Sequence, residues 1–195
     1  MLNSNFVIWK YRSVPDGCVL KDFMGLEKTF RLNNGTPLAQ GFPSGVSFHM
    51  DPDFPNDLLI GDNVQNLDMV IVASKRLCAA VQALVPTGVE YLPVNIVDHK
   101  GKVASKDHCI IHPVHPVDAI DKDQSVFETS ILDDDDIDSF EKLVVDESRI
   151  PEDRKLLRLL GFWNLTLVHR DVAKALDQQG FSGFGWQRLE DYPEV

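Results

Sequence analysis

Two stretches of this chain repeat one order of events, and that repetition limits what the chain can fold into. Met69-Val-Ile-Val72 reads as a short buried strand, and Ser74 offers an N-cap. Leu77, Ala80, Val81 and Leu84 follow at helical spacing. Pro86 and Gly88 close that helix, and Val89-Glu-Tyr-Leu-Pro-Val-Asn-Ile-Val97 reads as extended. Ninety-five residues on, Leu165-Thr-Leu-Val168 is a strand and Asp171 to Gln179 a helix carrying Val172, Ala175 and Leu176 on one face. Gly180 supplies the stop, and Phe184 to Leu189 is extended again. Aligned without gaps, Val72 matches Leu167, Leu77 matches Val172, Ala80 matches Ala175 and Val81 matches Leu176. Only the cap is lost, since Ser74 faces His169. Two strand–helix–strand units, about 69–97 and 164–192, facing one core are one reading. A chance likeness of two amphipathic units is the other.

Elsewhere Phe6-Val-Ile-Trp-Lys-Tyr11 reads as a strand ended by the turn Val14-Pro-Asp-Gly17. Residues 33–57, rich in Asn, Gly and Pro, read as a long surface loop with short strands at most. Asp98-His-Lys-Gly101 reads as a turn and His108-Cys-Ile-Ile-His112 as a strand. The expected class is α+β: mixed and antiparallel sheets with a few short helices. At 195 residues the chain fits one domain, or two packed halves at 1–115 and 116–195. That length buries a core without needing staples or metal.

The N-terminal residues lack a basic stretch leading into an apolar run of signal-peptide length, and no run of about 18 apolar residues suggests a membrane span. Cys18, Cys78 and Cys109 are an odd number without a CxxC pair, which suits reduced, buried thiols. Cytoplasmic residence is the expectation. The net charge of −11 is concentrated: residues 121–153 hold thirteen acids against three bases, a balance of −10, which leaves −1 for the rest. Such a field repels nucleic acid and speeds encounter with basic partners.

Candidate chemistry is sparse. His108 and His112 have the spacing of a zinc-binding helix pair, with His115 nearby, which raises a metal-dependent hydrolase as the alternative function. Pro113 and Pro116 forbid a regular helix there, and the glutamate such a motif needs is missing. Cys109, beside these histidines on an apolar stretch, reads as a buried thiol and not a nucleophile. Asp121-Lys-Asp-Gln-Ser125 begins like a calcium loop, but Val126 stands where that loop needs glycine and Leu132 where it needs glutamate. A turn held by local side-chain hydrogen bonds fits better. In the tract around Asp133, Asp134, Asp135, Asp136 and Asp138, with Glu141 beyond, two readings stand. One is a solvated loop whose last acids assist a helix start. The other is a negative surface that meets a basic partner. No phosphate loop, nucleophile elbow or cofactor motif is present, and no cofactor is expected.

Several segments also resemble one family. Val144-Val-Asp-Glu-Ser-Arg-Ile-Pro151, Leu156-Leu-Arg-Leu-Leu160, Leu167-Val168, the helix Val172-Ala-Lys-Ala-Leu176 and Gly180-Phe-Ser-Gly-Phe-Gly-Trp186 are similar to the C-terminal part of a bacterial immunity-protein family that accompanies polymorphic toxins. Upstream, Val72-Ala-Ser-Lys-Arg-Leu77, Gly88-Val-Glu-Tyr-Leu-Pro-Val94 and Val117-Asp-Ala-Ile-Asp121 with Ser125 resemble it too, so the likeness spans roughly 55–192. The chain departs from the pattern at His169, where a serine or threonine cap is common. The resemblance implies a non-catalytic protein that binds and silences a cognate toxin. It supplies no catalytic residues. The acidic segment would then suit a basic toxin, with neither nucleic acid nor membrane as a partner.

Overall fold

The computed structural model describes residues 4–131 and 135–193. Along the chain run β1 (Phe6–Tyr11), β2 (Val19–Met24), β3 (Ser47–Met50), β4 (Asn63–Asn66), β5 (Ile71–Ser74), α1 (Lys75–Leu84), β6 (Val89–Val97) and β7 (Val103–Pro113). After them come β8 (Val126–Thr129), β9 (Ile137–Lys142), β10 (Leu156–Leu159), β11 (Phe162–His169), α2 (Arg170–Asp177) and β12 (Phe184–Arg188). Six strands close a barrel in the order β2-β3-β6-β7-β5-β4, four form an open sheet β10-β11-β1-β12, and β8 and β9 pair as a hairpin. The α+β expectation holds.

The repeat is real in topology and in register. Within the barrel, β4-β5-β7-β6 are successively antiparallel, and so are β10-β11-β1-β12 in the sheet. Each helix connects the two strands that flank a middle one: β7 between β5 and β6, and β1 between β11 and β12. Val72, Ile110 and Leu92 lie side by side across the first unit, and Leu167, Ile8 and Gln187 across the second. The 95-residue offset carries the outer members of one row onto the other. The middle strand comes from opposite ends of the sequence, following β6 in one unit and preceding everything else in the other.

Both units drop their helix into one apolar layer between sheet and barrel. Leu77 and Val81 of α1 meet Val172 and Leu176 of α2 there, with Val7 and Trp9 of β1, Ile71 and Ala73 of β5, and Ile111 of β7. The continuous run Phe6-Val-Ile-Trp9 is buried on both faces, which is why it does not alternate with polar residues. Phe6 and Ile8 point the other way, into a second core with Ile137, Phe140, Leu157, Leu159 and Phe162. A third core fills the barrel.

Residues 33–57 run largely over the surface with one short strand, as expected, and β3 with Leu38, Val46, Phe48 and Met50 anchors them in the barrel. Their Asn, Gly and Pro content masks the period-two pattern Val46, Phe48, Met50. Three expectations need correction. The acidic tract leads into strand β9 and not a helix, because Ile137 and Phe140 must reach the core beneath. His169 does cap α2, its Nδ1 accepting from the Asp171 N–H at 3.3 Å, as the Ser74 hydroxyl accepts from Leu77 in α1 at 3.2 Å. Finally, Cys78 and Cys109 are joined as a disulfide, leaving only Cys18 as a free thiol, one that burial pushes up to about 11.

That bridge ties α1 to the middle strand of its unit. Its counterpart in the second unit is the apolar pair Ala173 and Val7, both in the shared core. The bridge spans 31 residues of sequence, so its removal frees a loop worth about 3.7 kcal/mol. A Cys78→Ala, Cys109→Val variant copies the other unit and should keep the fold. Its thermal midpoint should fall by roughly 7–15 °C for a chain of this size. An unchanged midpoint by calorimetry would contradict a formed bridge.

Candidate functional site: an acidic face over the open sheet

The layer that covers the open sheet carries the charge. Residues 118–123, the hairpin β8–β9 and the β10–β11 turn meet around a cavity of about 650 Å³, lined by Asp118, Asp121, Asp123, Asp135 and Asp136 with Lys122 and Arg149. Its apolar wall is Ile120, Leu160, Gly161 and Trp163. A second cavity of about 610 Å³ adjoins it and shares Asp136 and Trp163 as a common wall, with Phe30, Asn33, Asn34 and Asn164 beyond. The sequence-predicted acids therefore divide. Asp135 and Asp136 line the cavity, whereas Asp138 and Glu141 are exposed on β9 and line none of these hollows. Asp133 and Asp134 lie outside the described residues.

Local structure explains how the walls are held. Asp121 accepts backbone N–H bonds from Asp123 and Gln124 at 3.1 and 3.0 Å, and a bond from the Gln124 side-chain amide at 2.6 Å. This is the hydrogen-bonded turn expected there in place of a calcium loop. Ile137 N–H donates to the Gly161 carbonyl at 2.8 Å, docking the hairpin on the β10–β11 turn. Gly161 itself sits at φ +77, and a Cβ there would press on the Asp135 carbonyl at 2.7 Å. Beneath, the buried Arg158 guanidinium donates to the Trp163 carbonyl at 2.6 Å. Burial lowers Arg158 to about 10, which leaves it charged at neutral pH. Among the described residues, Asp118, Asp123, Asp136 and Asp138 receive no side-chain hydrogen bond or ion pair from the chain.

The histidines do not assemble. His112 is fully buried and its Nε2 donates to the Thr36 carbonyl at 2.9 Å. His108 lies between the Ser105 hydroxyl, 2.8 Å from Nδ1, and the Gly61 carbonyl, 3.4 Å from Nε2. His115 sits at φ +55 in the turn after β7. His108 and His112 each bond neighbours of their own, and His115 lies apart in the turn. Among the described residues no group of three or more His, Cys, Asp or Glu side chains is placed to hold a metal ion.

Residues 26–191 match the family described as "Immunity protein family (Imm11)". The chain belongs to that immunity protein family. No curated protein matches it. The Imm11 match begins well before the resemblance read from the sequence, and so takes in β3, most of the barrel and three of the four strands of the open sheet, β1 and β2 lying before it. No described helix is long and apolar enough to cross a membrane.

Sequence reasoning missed two contributors to this Imm11 chain's acidic face. Asp118 lay within a segment read only for resemblance, and Arg158 passed as one polar letter among leucines. The signal for Arg158 was present: an arginine at the centre of Leu156-Leu-Arg-Leu-Leu160 is flanked on both sides by residues that must be buried.

Burial holds both His108 and His112 below the usual imidazole value of 6.5. The unfolded chain therefore binds more protons than the folded one below that pH. Their contribution to stability is complete above 6.5 and is lost as pH falls from 6.5 through the depressed folded values. A His108→Asn, His112→Asn variant should show a shallower rise of unfolding free energy between about pH 5 and 6.5 in denaturant titrations. An equal slope in variant and parent would contradict this assignment.

Proposed function

We propose that this chain is a non-catalytic, cytoplasmic immunity protein that binds and neutralises a cognate toxin of a polymorphic toxin system. The family match over 26–191 is the observation that carries the reading. The geometry supports it: the described histidines lie apart from one another and the described acids are mostly at the surface, so these groups do not converge as a nucleophile, base and oxyanion site would. The partner proposed is a toxin with a basic surface. Nucleic acid and membrane are not partners in this reading, and no cofactor takes part. The acidic tract, Asp133 to Asp136 with Asp138 and Glu141, contributes to the contact by attracting that basic surface.

Cells expressing the toxin encoded beside this chain should survive when the chain is co-expressed. Continued death despite a soluble immunity protein would refute the reading. Replacing Asp133 to Asp136, Asp138 and Glu141 by their amides should slow association roughly tenfold at low salt and flatten its salt dependence. Unchanged association kinetics would remove the acidic tract from the contact.

Compartment has a separate test, because reducing cytosol works against disulfides and Cys78–Cys109 is one. Cys78 lies in the shared core and the half-buried Cys109 packs against it, which limits access by glutathione. Alkylating the protein inside intact cells and counting modified cysteines by mass should find Cys78 and Cys109 protected as a pair within cytoplasmic material. The pair recovered only from secreted or periplasmic material would overturn cytoplasmic residence.

A further inference from the structure

The acidic face has a feature that charge alone does not provide: an exposed apolar floor. Leu160 is 49% exposed and Phe30 61% exposed, although both flank the half-buried Trp163. Trp163 and Asp136 line both cavities, so a half-buried tryptophan and an aspartate with no side-chain partner among the described residues border the same space. A side chain entering either hollow meets both. Five acids against two bases around the first cavity make its occupant cationic. The absence of a converging ligand set among the described residues disfavours a metal ion there.

We propose that this groove seats an arginine-bearing segment of the toxin, with a guanidinium against the Trp163 ring and paired with Asp136. The identity of the partner rests on the immunity reading; the chemistry of the groove does not. Arginine fits better than lysine, because its planar guanidinium stacks on an aromatic face while its edge bonds a carboxylate. Phe30 and Leu160 receive the apolar stems beside it. The Arg158 bond to the Trp163 backbone fixes the floor from below. Aromatic anchors surrounded by exposed charge are the arrangement in which a few residues carry most of an interface's affinity.

The test uses the full chain with hexa-arginine and hexa-lysine peptides at low salt, read by the indole N–H resonances of Trp9, Trp163 and Trp186. Trp163→Phe assigns its signal. The Trp163 resonance should move with hexa-arginine, and less with hexa-lysine. Asp118→Asn, Asp123→Asn, Asp136→Asn should weaken binding about tenfold or more. Those three positions are at or near the surface, so this variant tests the groove even if a Trp163 variant folds poorly. A silent Trp163 resonance, or equal binding by parent and amide variant, would overturn the groove. The toxin encoded beside the chain separates the two claims. If it binds parent and variants equally, the groove is wrong and the immunity reading survives. If the peptide binds as described but no toxin is neutralised, the groove stands and the immunity reading falls.

Discussion

The apolar layer between the open sheet and the barrel holds the molecule together. Leu77, Val81, Val172 and Leu176 from the two helices interlock there with β1, β5, β7, β10 and β11. Neither four-strand unit covers its own helix-bearing face; each supplies the cover for the other. This mutual dependence explains why the chain's first strand sits beside one of its last, since the second unit lacks a middle strand until β1 fills the place. The Asp62 carboxylate braces the same junction. It accepts from the Ser74 hydroxyl at 2.8 Å, Arg76 at 2.8 Å and the Ser182 N–H at 3.1 Å, linking the start of α1 to the turn after α2. Burial alone would raise its pKa, but these bonds outweigh that cost and hold it below the usual carboxylate value.

The acidic face follows from what lies on the opposite side of the open sheet. That side must also be covered, and residues 117–150 cover it. Ile120, Ile137, Phe140 and Leu143 point inward, so the residues between them point out. The outward positions are aspartate and glutamate far more often than basic. A covering layer with an apolar underside is free to carry almost any charge on its outer side, and the described outward positions of this layer are rich in acids.

Much of this was legible from sequence where periodicity was strong. The bounds of β1, β6 and the start of α1 agree with the reading from apolar spacing, the Ser74 cap and flanking Pro and Gly. The register of the repeat followed from matching letters at a fixed offset. What stayed hidden depended on tertiary partners. The short strands β2, β4, β8, β9 and β10 lack a period long enough to stand out, and β3 was obscured by turn residues around it. The disulfide could not be inferred from an odd cysteine count, because pairing requires that α1 pack directly on β7. Of the acids lining the cavity, the sequence singled out Asp135 and Asp136 for a partner surface but not Asp118, Asp121 or Asp123, and not their apolar neighbours. Phe30, Leu160 and Trp163 are far from one another or from the acidic tract in the chain, and only the docking of the hairpin on the β10–β11 turn makes them one surface.

The central claim is that this face, and not a reactive centre, is where the chain acts. Hydrogen–deuterium exchange of the full chain with and without the cognate toxin proposed for it tests that most directly. Slowed exchange concentrated in 30–34, 118–123, 135–142 and 160–164, with the barrel strands β2 and β4 unaffected, is the result this account requires. Protection confined to the barrel, around 54–69, with the acidic face exchanging as freely as before, would contradict it.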